Sequence, residues 1–79
     1  MKYVYILQST NEPQRHYTGI ADDVDVRLKE HNSSKSIYTK KHAPWKIIVS
    51  IGFEDSQKAF AFEQYLKSGS GRAFAKKHF

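Results

Sequence analysis

The stretch Lys2 to Gln8, Lys-Tyr-Val-Tyr-Ile-Leu-Gln, restricts the fold more than any other. In an extended chain Tyr3, Tyr5 and Leu7 fall on one side and Val4 and Ile6 on the other, so both faces are apolar. A strand of this kind needs a packed layer on each side, which is the position of a central strand. The chain has 79 residues and no cysteine, so neither disulfides nor thiolate zinc sites can staple it. A single domain over residues 1–79 is expected, with a small core to which five Phe, five Tyr and one Trp contribute.

The rest of the chain supplies the partners. Ser9 to Gln14, with Asn11 and Pro13, has a loop composition. Arg15 to Ile20 then resumes an extended segment, so the first two strands read as a hairpin with a roomy loop. Tyr17 and Gly19 share one of its faces, and Gly19 leaves room there for a ligand or another backbone. Asp22 or Asp23 is placed to cap a helix with an acidic first turn, Val24 and Leu28 form its apolar stripe, and Asn32 ends it.

Ser33 to Pro44 is polar and basic and reads as a loop with a helical turn near Ile37 and Tyr38. Trp45 to Phe53 is the second strong strand, with Ile47, Val49, Ile51 and Phe53 predicted on one face and Ile48 and Ser50 on the other. Asp55 or Ser56 caps a helix to about Lys67, whose core stripe is Ala59, Phe62 and Leu66. Ser68 to Gly71 breaks it, and Arg72 to Phe79 forms a last short helix. The predicted class is α+β, in the order β-β-α-(loop)-β-α-α.

Charge points to the partner. The net charge is +5, which favours a polyanion, nucleic acid first and anionic membrane second. Residues 1–32 are slightly acidic, and the whole excess lies in residues 33–79. No apolar run approaches the roughly 18 residues of a membrane span and no secretory signal precedes the first strand, so the cytoplasm is the expected location.

Among residues able to do chemistry, His16, His31, His42 and His78 lack zinc-ligand spacing. Gly69 and Gly71 sit between helices rather than in a phosphate-binding loop after a strand. Arg27 and His31 are four residues apart and share one helix face, a cation beside an imidazole that suits work on a phosphate. Glu63 is flanked at helical spacing by Ala59, Phe60, Leu66 and Lys67. A carboxylate on a packing face is paired, protonated or bound to a cation, and pairing with Lys67 is the plain alternative to a metal. Arg27 on a solvated helix face is the corresponding alternative for that residue.

Taken in order, Tyr3-Val4-Tyr5, Tyr17-Thr18-Gly19, Arg27, His31 and Glu63 resemble the GIY-YIG nuclease family, in particular its small single-domain members. The resemblance covers essentially the whole chain. Tyr3 stands where the family's first motif has glycine, and Thr18 where its second has isoleucine. Ile20 follows Gly19 where repair-type members often carry lysine, and no asparagine lies about a dozen residues after Glu63, where some members have one.

The resemblance implies a three-stranded antiparallel sheet flanked by helices, and hydrolysis of DNA phosphodiesters with one divalent cation, Mg²⁺ or Mn²⁺. Glu63 would hold the metal, and Arg27 would clamp the scissile phosphate. Tyr5 is favoured over Tyr17 as the base, with Tyr17 positioning and His31 supporting. A free tyrosine is only about one part in a thousand ionised at pH 7, so either Arg27 lowers its pKa or His31 takes the proton.

Lys35, Lys40, Lys41 and His42, with Tyr38 beside them, and Lys67, Arg72, Lys76 and Lys77 would hold DNA, mostly by its phosphates. Branched, flapped or single-stranded DNA is the implied substrate, in repair or processing, with a partner protein as a source of specificity. The rival functions are a nucleic-acid-binding module of the same fold with weak or lost cleavage, and a protein-interaction domain. The catalytic reading requires Tyr5, Tyr17, Arg27, His31 and Glu63 to converge.

Overall fold

The computed structural model of the chain describes residues 1–33 and 37–79. Its elements are β1 (Lys2–Ser9), β2 (His16–Ala21), α1 (Val24–Asn32), α2 (Ile37–Lys41), β3 (Trp45–Phe53), α3 (Ser56–Lys67) and α4 (Gly69–His78). The strands form one antiparallel sheet in the order β2-β1-β3, so the strand that is apolar on both faces is the central one. On one face Val4 and Ile6 pack with Ala59 and Leu66 of α3, joined by Phe53, Phe62 and Phe74. On the other, Tyr5, Leu7 and Ala21 pack with Trp45, Val24 and Leu28, which places α1 there. Both sides of β1 are thus covered for the reason its alternation predicts.

Local chemistry sets the helix ends. The Asp23 carboxylate accepts from the Val26 N–H, and that of Asp55 from the N–H groups of Gln57 and Lys58. Asn32 closes α1 and also reaches across to the start of β3. Its side-chain oxygen accepts from the Trp45 N–H at 2.6 Å and its amide donates to the Trp45 carbonyl at 3.1 Å.

The helical turn expected near Ile37 and Tyr38 is present as the five-residue helix α2. Two expectations need correction. The break between the last two helices narrows to Ser68, and α4 begins at Gly69 rather than Arg72. Ser68 serves both ends: its hydroxyl donates to the Tyr65 carbonyl and accepts from the Gly71 N–H. A Cβ at Gly71 would run into the Tyr65 carbonyl, so glycine permits this tight join.

The second correction lies in β3. Ile6 pairs with Val49 but Leu7 pairs with Ile47, so Ile48 is the extra residue of a bulge. Ile47 therefore packs with Leu7 and Tyr5, on the face opposite Val49 and Phe53. The strict alternation predicted for this strand fails at that point, and Ile48 is left 38% exposed.

Candidate active site

Tyr5 stands at the middle of β1, directly across from Gly19 of β2. A Cβ at Gly19 would collide with the Tyr5 hydroxyl and ring. The space expected there for a ligand or a backbone is thus taken by Tyr5 itself, and the glycine is what lets the ring lie across β2. So placed, the hydroxyl comes 3.0 Å from His31 Nε2. The other ring nitrogen, Nδ1, lies 3.0 Å from the Thr39 hydroxyl. The Thr39 carbonyl in turn accepts from the Trp45 indole N–H at 2.6 Å, which fixes α2 against the start of β3. Tyr5 is 1% exposed, His31 2%, and Thr39 is fully buried, so bulk solvent does not compete for these hydrogen bonds.

Burial also sets the charge states. It pushes the Tyr5 hydroxyl above the ordinary tyrosine range, and the adjacent Arg27 guanidinium opposes this without reversing it. Of the two routes expected, a net lowering of the Tyr5 pKa by Arg27 is outweighed by burial, which leaves transfer of the proton to His31. Burial, with Arg27 nearby, pushes His31 below the usual histidine value and keeps its ring neutral. A neutral imidazole has one donor and one acceptor nitrogen, so Tyr5, His31 and Thr39 can pass a proton along one line. Arg27 is held as a cation by the Tyr5 oxygen and then by Glu30, whose carboxylate accepts from it at 2.7 Å.

Tyr17 stands beside this chain, its ring centroid 4.7 Å from that of His31 and 6.5 Å from that of Tyr5. The aromatic row continues through Tyr38 at 6.4 Å from Tyr17 and His42 at 5.5 Å from Tyr38. His42 Nδ1 also lies 2.7 Å from a Glu12 oxygen, and this contact, ahead of Arg15, holds the Glu12 carboxyl below its ordinary value. Lys40 and Lys41 are exposed in the last turn of α2. Lys35 lies outside the described residues.

Glu63 is 5% exposed, on the stripe of α3 that carries Ala59 and Leu66. That stripe covers the Val4 and Ile6 face, so Glu63 belongs to the layer across the sheet from α1. Its oxygens accept from Gln64 at 2.7 Å and Lys67 at 2.6 Å. Four of the five expected residues, Tyr5, Tyr17, Arg27 and His31, thus gather on one face, and the required convergence is not met there by Glu63, which lies in the other layer. The two layers meet at β2, which is an edge strand. There a groove of about 880 Å³ is lined by Tyr17 and Tyr38 from one layer and by Lys67, Arg72 and Lys76 from the other. Lys67 links that groove to Glu63. Lys77 is exposed on α4 and is not among the groove residues.

The donor set suits one kind of metal. No cluster of three or more His, Asp or Glu able to hold a metal occurs among the described residues. A single buried carboxylate can serve a hard cation that keeps most of its water, as Mg²⁺ does. Glu63 is the buried carboxylate that such an ion would use, and here it is closed by Gln64 and by the half-exposed Lys67.

Thr39, Glu30 and Trp45 are the site residues that sequence reasoning missed. Glu30 carried a signal, as the i+3 neighbour of Arg27. Thr39 carried none, because its contact with His31 depends on how α2 docks.

The family model for the GIY-YIG catalytic domain matches residues 1–77. The chain is 35% identical over 71 residues to UPF0213 protein BH0048 of Halalkalibacterium halodurans, covering 89% of this chain and 73% of that protein. The solution NMR structure of UPF0213 protein BH0048 from Bacillus halodurans superimposes with a TM-score of 0.57 at 33% identity, covering 96% of this chain and 81% of that one. The chain is also 37% identical over 71 residues to structure-specific endonuclease subunit SLX1 of Candida dubliniensis, covering 81% of this chain but 25% of that protein.

Proposed function

Since the chain belongs to the GIY-YIG catalytic domain family, we propose that it is a divalent-metal-dependent DNA endonuclease. The observation that carries this reading is the buried line from Tyr5 through His31 to Thr39, with Arg27 beside the Tyr5 hydroxyl. In the proposed reaction a water attacks the scissile phosphate. As the Tyr5 oxygen takes the water's proton, its own proton passes to His31 Nε2. The resulting imidazolium donates from Nδ1 to the Thr39 hydroxyl. Tyr5 thus never has to exist as a free phenolate, which its burial disfavours.

Arg27 meets the phosphate oxygens and the charge that grows on them, a task suited to its planar fork. Tyr17, less buried than Tyr5, orients the water or the phosphate. Glu63 would hold Mg²⁺ or Mn²⁺, which when bound supplies a Lewis acid and stabilises the leaving oxygen. Lys40, Lys41, Lys67, Arg72, Lys76 and Lys77 contact DNA phosphates without reading sequence. The proposed substrates are branched, flapped or single-stranded DNA in cytoplasmic repair or processing, with a partner protein adding specificity.

One observation favours a second reading. The Glu63 carboxylate is already engaged by Lys67 and Gln64 on the layer across the sheet. A binding module of this fold would keep that pair closed, bind DNA with steep salt dependence and yield no metal-dependent products. Nicking assays with Mg²⁺ or Mn²⁺ on wild type, Glu63→Ala and Arg27→Ala separate the two. The nuclease reading expects products from wild type only. Equal residual cleavage by all three assigns the activity to a contaminant and removes it.

A further inference from the structure

The groove at the β2 edge carries a chemistry that phosphate cleavage does not use. Besides its cations it exposes apolar surface from Ile48 and Phe79, over a floor of buried Ile6 and Leu66. Ile48 is there because the β3 bulge turns it out of the sheet. Tyr38, 51% exposed on α2, adds an aromatic face at the rim. Phosphate groups alone gain nothing from this lining, and a duplex keeps the faces of its bases stacked inward. A flat apolar group joined to a phosphate uses both parts of it: the base of an unpaired nucleotide. Cationic grooves with aromatic platforms hold single strands in this way, by stacking and backbone contacts together.

We propose that this groove is a subsite for unpaired bases, seating a single-stranded arm continuous with the strand that is cut. Tyr38 stacks on a base, the Ile48 and Phe79 side chains cover its other apolar surface, and Arg72 and Lys76 hold the adjoining phosphates. Continuity with the reaction site is direct, because Tyr17 lines the groove and packs 4.7 Å from His31. The substrate class that follows is a duplex bearing an unpaired arm at the cut. This rests on the nuclease reading above, and the size of the groove, about 880 Å³, lies within the ~300–1,000 Å³ typical of small-ligand sites.

The test uses full-length Tyr5→Phe protein, so that no probe is consumed, with fluorescence anisotropy on three DNAs. These are a blunt duplex, the same duplex with a short thymidine arm, and the same duplex with an abasic arm of equal length. The thymidine arm should tighten binding about tenfold over both other probes, and Tyr38→Ala should remove most of that gain. Equal affinity for abasic and thymidine arms would reduce the groove to a phosphate contact and overturn the proposal. So would an arm preference untouched by Tyr38→Ala, or tighter binding of an acidic peptide than of the armed duplex. Failure of the two readings is distinguishable. Wild type that cuts blunt and armed duplexes alike keeps the nuclease and loses the subsite, whereas arm-dependent binding without any cleavage does the reverse.

Discussion

The Tyr5 hydroxyl of β1 and His31 Nε2 of α1 lie 3.0 Å apart, joining two buried side chains. Nothing in this contact requires an ionised tyrosine. Burial raises the Tyr5 pKa and lowers that of His31, so the resting pair is a neutral phenol beside a neutral imidazole. Such a pair can move a proton without first separating charge.

Gly19→Ala tests how the pair is positioned. The added methyl would collide with the Tyr5 hydroxyl and ring, and neither a buried tyrosine nor the paired strand has room to yield freely. Overpacking of this kind costs about 1–3 kcal/mol. Urea unfolding should show that loss, and cleavage should fall further than stability accounts for, because Tyr5 is moved off His31. Full activity in Gly19→Ala would mean that the contact is dispensable.

The His31 shift predicts a pH dependence whose sign can be worked out. Its folded pKa lies below the ordinary 6.5, so at lower pH the unfolded chain binds a proton that the folded chain refuses. The contribution of His31 to stability is therefore fully present above 6.5 and is lost as pH falls through the lower folded value. Glu12, also shifted downward, adds its own loss only below its ordinary 4.5. Between those two values, urea midpoints should fall for wild type and fall less for His31→Gln, which cannot charge. Parallel curves for the two proteins would contradict the assignment.

Lys67→Met tests Glu63 as a cation site by a readout other than activity. The substitution leaves a buried carboxylate with Gln64 as its remaining partner. Removing a hydrogen-bond partner from a buried acceptor costs at least about 1–3 kcal/mol, and a divalent cation should restore that stability. Mg²⁺ or Mn²⁺ should raise the thermal midpoint of Lys67→Met, and should not raise that of Lys67→Met/Glu63→Gln. An equal response in both variants would place the ion elsewhere.

Much of the fold was legible in the residues, because the signals are local. The alternation of Tyr3 to Leu7 marks a central strand, Asp23 and Asp55 mark helix starts, and the spacing of Ala59 and Leu66 marks the packed face of α3. The features that escaped are set by distant partners. The bulge at Ile48 arises where β3 fits its register to β1, and no residue within β3 announces it. Thr39 finds His31 only when α2 docks against Trp45. The upward shift of Tyr5 follows from burial between β2 and α1, and the nearness of Arg27 alone would suggest the opposite. Glu63 was readable as a carboxylate that needs a partner, and both Lys67 and a metal were open to it. The layer it occupies became visible only with the fold.

Single-turnover cleavage by wild type and Tyr5→Phe, prepared side by side, bears most directly on the central claim. The substitution removes one oxygen and keeps the ring packed over Gly19. The account predicts a metal-dependent product from wild type, a loss of about 10²–10⁴-fold in Tyr5→Phe and unchanged DNA affinity. Equal rates for the two proteins would contradict it, since the Tyr5–His31 contact would then take no part in the reaction.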